Sequence, residues 1–269
     1  VFDPAYDSYD PVIRLQGAVA VHIPLTGPSF GVDWQRVKDA INERTRLIII
    51  NTPHNPTGSV WAEDDIQQLR ELVSDTNIYL IGDEVYEHMV FDQQGHTSLC
   101  RYDDLYARSF VISSFGKTYH VTGWKVGYCV APEQLTTEFR RLHQYVTFTV
   151  NTPVQHGLAD FLQAQPEHHL QLPDFYQAKR DLFCELLAPS QFKIRPAAGT
   201  YFQLLDYSQI TDEPDHVLAE RWTKELGIAS IPISVFYQDA EHCQHKALRF
   251  CFAKDDATLR QAAEILCKL

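Results

Sequence analysis

A chain of 269 residues with 45% hydrophobic content can bury a sizeable core, in one large domain or two smaller ones. Its formal net charge of -12 comes without a block of like charges or a basic run, which argues against nucleic acid or an anionic membrane as partner and favours a small molecule. The six cysteines (Cys100, Cys129, Cys184, Cys243, Cys251, Cys267) form no C-x-x-C pair, no Asn-x-Ser/Thr site is present and no apolar run approaches the roughly 18 residues of a membrane span. A cytoplasmic protein with reduced, mostly buried thiols is expected. Val1-Phe2-Asp3-Pro4 reads as the tail of a strand entering a turn, with no initiator methionine, so the chain is expected to begin in mid-domain.

Short apolar runs then alternate with polar helical stretches, the pattern of an α/β fold with a mostly parallel sheet. The runs at residues 17–25, 47–50, 78–81, 110–112 and 126–130 are nearly continuous rather than alternating, which implies strands covered on both faces. Ile66, Leu69 and Val73 repeat at helical spacing and predict a helix with one buried stripe. Residues 132–187 read as helical and as a connector between domains. One stripe is Phe139, Leu142 and Val146; a second is Phe175, Ala178, Leu182 and Leu186, with interruptions near Pro166 and Pro173. Strand-like runs at 200–205 and 247–252 then alternate with helices carrying Leu218, Trp222 and Leu226, and Leu259, Ala263 and Leu266. The expected division is a large domain over residues 1–165, incomplete at its N-terminus, and a smaller α+β domain over 166–269.

In open α/β sheets ligands gather beyond the carboxyl ends of the strands. Three such ends carry polar residues: Asn51-Thr-Pro-His-Asn-Pro-Thr-Gly58, Asp83-Glu-Val-Tyr86 and Ser113-Ser-Phe-Gly-Lys117. Lys117 follows an apolar run through a short turn, where a desolvated lysine loses its proton more readily and can attack a carbonyl. Lys125, eight residues on, offers a second cation for an anion, a pairing suited to a phosphorylated aldehyde. Each residue also has a plainer reading. Lys117 is then a surface lysine, Asp83 a helix cap, Asn55-Pro56 a turn, Ser114 a turn serine, and Arg249 a structural ion pair. Tyr6 and Tyr86 would be core residues with satisfied hydroxyls. His242, Cys243 and His245, and the pair His168-His169, lack the ligand count and spacing of a zinc site, and no metal is expected. Nucleotide-binding, serine-hydrolase and zincin motifs do not occur.

The Asn-Pro-Thr-Gly, Asp-Glu-Val-Tyr and Ser-x-x-Gly-Lys-Thr…Gly-Trp-Lys-Val-Gly segments, in this order, together with Leu248-Arg-Phe-Cys-Phe-Ala-Lys254, resemble the class I/II aminotransferases of pyridoxal phosphate fold type I. The resemblance is closest to the branch of bacterial methionine aminotransferase and the kynurenine/glutamine transaminases. It implies pyridoxal 5'-phosphate as cofactor, an aspartate-aminotransferase-like fold, and transamination of methionine, glutamine or an aromatic amino acid to its 2-oxo acid. Lys117 would form the imine and then move the substrate proton. Asp83 would pair with the pyridine nitrogen, Tyr86 and Asn55 with the phenolic oxygen, and Ser114 and Lys125 with the phosphate. Tyr6 would stack on the ring, and Arg249, with Asn55 and Tyr201, would receive the substrate, Tyr119 being a further candidate for its side-chain pocket. The family's Gly-rich phosphate-binding turn precedes the matched region, His54 stands where several relatives carry Asn, and family members are homodimers. The same residues also suit a cysteine-conjugate or C–S β-lyase, and a non-catalytic fragment unable to hold the cofactor is the reading outside enzymes.

Overall fold

The three runs that end in polar residues lie side by side in the computed structural model, which describes residues 1–269. The chain opens with β1 (Phe2–Asp3), α1 (Tyr9–Leu15), β2 (Ile23–Pro24) and α2 (Trp34–Ala40), with β1 parallel to β2. Next come β3 (Leu47–Asn51), α3 (Glu63–Val73), β4 (Tyr79–Asp83), α4 (Asp103–Tyr106), β5 (Ser109–Ser114), α5 (Phe115–Thr118) and β6 (Gly127–Val130). These strands form one sheet in the order β3-β4-β5-β6, parallel across the first three and antiparallel at the β6 edge. Parallel neighbours direct their carboxyl ends to one side, and the register sets Asn51 opposite Asp83 and Asp83 opposite Ile112. The polar strand ends are therefore adjacent.

Helices α6 (Glu133–Val146), α7 (Thr152–Ala164) and α8 (His168–Leu187) lead to β7 (Lys193–Ile194), β8 (Phe202–Asp206), α9 (Asp215–Leu226), β9 (Ile231–Pro232), β10 (Ala247–Cys251) and α10 (Asp256–Leu266). The second sheet is antiparallel, in the order β7-β8-β10-β9. Two large apolar cores result, with a small third cluster of Ile233, Tyr237 and Ala247. One joins Ile48, Ile50 and Leu80 of the parallel sheet to Ile66, Leu69 and Val73 of α3; the other joins Leu205 and Leu248 to Trp222, Leu259 and Leu266. Tyr86, Met89 and Phe91, which follow β4, belong to the second core, so the early sequence reaches into the C-terminal half. Arg180 on α8 ties the same segment down, donating to Asp92 at 2.7 and 2.8 Å and to the Ala197 carbonyl at 2.8 Å.

Several expectations are corrected. Of residues 17–25 only Ile23–Pro24 form a strand, because Gly17 turns the chain at φ 74° and Val19 and Val21 stay exposed. β6 is not covered on both faces: it is the edge strand, and Tyr128 and Val130 are exposed. Most apolar side chains of α6 are likewise exposed, Tyr145 and Val146 most of all, followed by Leu142. On α8 the buried stripe is Leu172, Tyr176, Arg180, Phe183 and Leu187, one residue along from that expected. A count of purely apolar residues skips Tyr176 and Arg180, which bury their stems and find polar partners in His120 and Asp92. Pro173 lies inside α8 without ending it. The cysteines are free, but none is fully buried, and Cys100 and Cys251 are exposed. No helix is long and apolar enough to cross a membrane.

Candidate active site

Asn51, the last residue of β3, fixes the neighbouring strand ends to one another. Its side-chain amide donates to the Asp83 carbonyl at 2.9 Å and its Oδ1 accepts from the Asn55 N–H at 2.9 Å. That holds the loop after β3 against the end of β4. Asn55 is buried, and its Oδ1 accepts from Nη1 of Arg249 at 2.5 Å. Arg249 lies in the middle of β10, opposite Leu204 and Ile231, so this hydrogen bond joins the loop after β3 to the second sheet.

The Arg249 guanidinium lies 4.0 Å from the ring centre of Phe202 and 5.0 Å from that of Phe236. It forms no ion pair: every salt bridge in the chain belongs to other residues. Burial pulls its pKa below the usual arginine value, with Tyr86 and other nearby groups pulling back. A half-buried cation on aromatic rings without an anion is costly unless an anionic ligand completes it, and the structural ion pair weighed from sequence is not present.

Lys117 does not follow a turn, as the sequence suggests. β5 runs on to Ser114, and α5 starts at once, with Ser114 as its N-cap accepting from the Gly116 N–H at 3.1 Å. A Cβ on Gly116 would meet Thr122 Cα at 2.9 Å, so a glycine is required for the chain to fold back here. The Lys117 Nζ donates to the Tyr201 hydroxyl at 3.2 Å and lies 5.8 Å from the ring centres of both Tyr86 and Tyr201. These two rings meet edge to face at 5.3 Å. Tyr86 is buried, and burial first, then Tyr201, raises its pKa well above the ordinary phenol, which keeps its hydroxyl protonated as a donor.

Asp83 ends β4 largely out of water. Burial pushes its pKa up, while a hydrogen bond from Tyr9, the Val85 N–H and the charge of Lys117 work against that rise. One carboxylate oxygen accepts from the Tyr9 hydroxyl; the other receives only the Val85 N–H at 3.4 Å. A carboxylate so placed favours a cation opposite it.

The structure thus brings together Asn55, Asp83, Tyr86, Lys117, Tyr201 and Arg249. Tyr6 is 42% exposed and meets Tyr9 edge-on at 5.6 Å, at the margin of the group. Ser114 begins α5, one turn before Lys117. Lys125 is exposed, in the left-handed conformation at φ 55°, two residues before Gly127, which pairs with Ser114. Tyr119 is not in the group and packs with Phe115, Phe161 and His168. Sequence reasoning missed Tyr9, although it lies three residues after Tyr6, and Asn51, although it heads the first polar strand end. No three His, Cys, Asp or Glu side chains converge as a metal site would need.

The family model for aminotransferase class I and II matches residues 1–266. The chain is 50% identical to methionine aminotransferase of Escherichia coli over 268 residues, covering 100% of this chain and 69% of that one. A solved Escherichia coli structure for which a methionine aminotransferase function was identified superposes with a TM-score of 0.96 at 50% identity, covering 100% of this chain and 70% of that one. Human kynurenine--oxoglutarate transaminase 3 is 33% identical, over 98% of this chain and 64% of its own length.

Proposed function

Since the chain belongs to the class I and II aminotransferases, and is thereby a pyridoxal-phosphate-dependent enzyme of amino acid transamination, we propose that its amino donor is methionine and that the residues around Lys117 carry the reaction. The 50% identity to the Escherichia coli enzyme supports the donor. Glutamine and aromatic amino acids are the next candidates, and the likeness to kynurenine transaminases supports the last. The observation that carries the reading is Arg249, a half-buried guanidinium without a carboxylate, hydrogen-bonded to Asn55 in the same group of side chains as Lys117.

The donor set fits the cofactor. Asp83 is a half-buried carboxylate with an under-used oxygen for a protonated ring nitrogen, and Lys117 is an amine set among aromatic rings. When bound, pyridoxal phosphate supplies an aldehyde that captures amines and a cationic ring that takes up the electrons left by the departing α-proton. Each residue then has one task. Arg249 binds the substrate carboxylate with two parallel N–H bonds, and Asn55 fixes the plane of the guanidinium. Lys117 Nζ would take up the substrate α-proton and, as the resulting ammonium, give it up again, with Tyr201 holding the amine in line. Asp83 would keep the ring nitrogen charged, and Tyr86 and Asn55 would serve the phenolic oxygen. Ser114, whose hydroxyl hydrogen is not used in capping, and Lys125 would hold the phosphate, and Tyr6 would cover the ring face. A large domain over residues 1–165, a small domain over 166–269 and a cytoplasmic homodimer complete the proposal. Free cysteines and the exposed apolar side chains of α6 support the last two points.

The test is product identity. With methionine and a 2-oxo acid acceptor, the enzyme should release the 2-oxo acid of methionine in ping-pong fashion. Pyruvate and a free thiol from a cysteine conjugate, without that product, would instead mark a β-lyase.

A further inference from the structure

Among the groups assigned above, the Tyr9 side chain hydrogen-bonds only to Asp83, 74 residues away in sequence, and meets the Tyr6 ring edge-on at 5.6 Å. At the first position of α1 and half-buried, it lines a small cavity together with Phe2, Leu25, Ile49, Asn51, His54 and Trp61. Burial, and next the Asp83 charge, hold its pKa well above 10, so the hydroxyl stays a donor.

What holds α1 in that position is a polar clamp. The His22 ring, immediately before β2, has Nδ1 at 2.7 Å from Asp3 and Nε2 at 3.3 Å from Asp10. Asp3 ends β1, and Asp10 is the residue after Tyr9, so one imidazole fastens the paired strands to the first turn of α1. Although burial opposes it, the two carboxylates raise the His22 pKa above its ordinary value. The other oxygen of Asp3 accepts from the Gln238 N–H at 3.2 Å, and the Ala5 N–H donates to the Phe236 carbonyl at 2.6 Å. The clamp is thus anchored in the C-terminal half as well.

Building on the assignment of Asp83 to the ring nitrogen, we propose that Tyr9 is a positioning residue: its hydroxyl, held by the Asp3–His22–Asp10 clamp, orients the Asp83 carboxylate and keeps it ionised. The chemistry is local. A hydroxyl donating to one oxygen lowers the basicity of the carboxylate, so the shared proton stays on the ring nitrogen rather than moving to Asp83. The other charged groups bearing on Asp83 are Lys117, which favours the anion, and Glu84, which opposes it. Glu84 is already engaged with His96 at 2.8 Å and with the Leu99 N–H at 3.0 Å, which leaves Tyr9 as the donor that can be removed alone.

The test loads the full chain with pyridoxal phosphate and titrates its visible absorbance against pH in wild type, Tyr9→Phe, Asp10→Asn and Asp83→Asn. A ring nitrogen that loses its proton withdraws fewer electrons, so the Tyr9→Phe midpoint should rise by about 0.5 pH unit or more, in the direction of Asp83→Asn. Asp10→Asn, which leaves the hydroxyl but loosens the clamp, should shift the same way by less. An unchanged midpoint in Tyr9→Phe beside a shifted one in Asp83→Asn overturns the role of Tyr9, whatever happens to thermal stability. A wild-type band that is absent, or that survives Lys117→Ala, overturns the underlying assignment and this inference with it.

Discussion

Arg249→Lys keeps the positive charge but removes the planar, two-pronged donor. In the structure the guanidinium is held flat by Phe202 at 4.0 Å and Phe236 at 5.0 Å and fixed on one edge by Asn55, so its free edge is oriented before any ligand arrives. A lysine ammonium reaches the same region as a point charge and reproduces only one of two charge-assisted bonds to a carboxylate. Losing one such bond costs about 1.5–3 kcal/mol, so kcat/KM for methionine should fall about 10- to 150-fold. The assay follows the first half-reaction by the change in cofactor absorbance. It is run with methionine and with 3-methylthiopropylamine, the same side chain without the carboxylate. The substitution should spare the amine and so erase most of the preference for methionine over it. An equal loss for both compounds, or no loss for either, would refute the reasoning that Arg249 acts by gripping a carboxylate.

His54 is buried, and burial lowers its pKa to about 4. The unfolded chain binds the proton near pH 6.5, so stability is whole above that pH and falls by about 3 kcal/mol as the pH drops toward 4. His54→Asn should flatten this part of the stability profile in urea unfolding; a parallel profile would show that other groups cause the slope. Gly58 adopts φ +70°, and a Cβ there would come within 2.7 Å of the Ala197 Cβ. Its carbonyl also accepts from the N–H groups of Ala198 and Gly199. Gly58→Ala should cost about 2–4 kcal/mol in denaturant unfolding, and a loss below about 0.5 kcal/mol would contradict the close packing seen here.

The sheet was legible because its strands bury apolar runs that stop abruptly at polar residues; Ile50-Asn51 and Gly82-Asp83 mark such ends. α3, α9 and α10 were legible from simple stripes such as Ile66, Leu69 and Val73. The stripe of α8 was misread because Tyr176 and Arg180 are amphipathic, and what they bury depends on His120 and Asp92, distant in sequence. Residues 17–25 look strand-like by composition, yet pairing needs a partner edge, and only Ile23 and Pro24 find one in β1. At the site, ordered motifs pointed to Lys117, Asp83, Asn55, Tyr86 and Arg249, which the fold brings close together. Tyr9 and His22 went unnoticed because their roles come from tertiary contacts alone, and no local spacing announces a hydroxyl that meets a carboxylate 74 residues on.

Everything above depends on Lys117 being the amine that holds the cofactor. The most direct measurement is to incubate the full chain with pyridoxal phosphate, reduce it with borohydride, digest it and locate the labelled peptide by mass spectrometry. The label should sit on Lys117 and vanish in Lys117→Ala. Label on Lys125, label scattered over the surface lysines, or none at all would contradict the account.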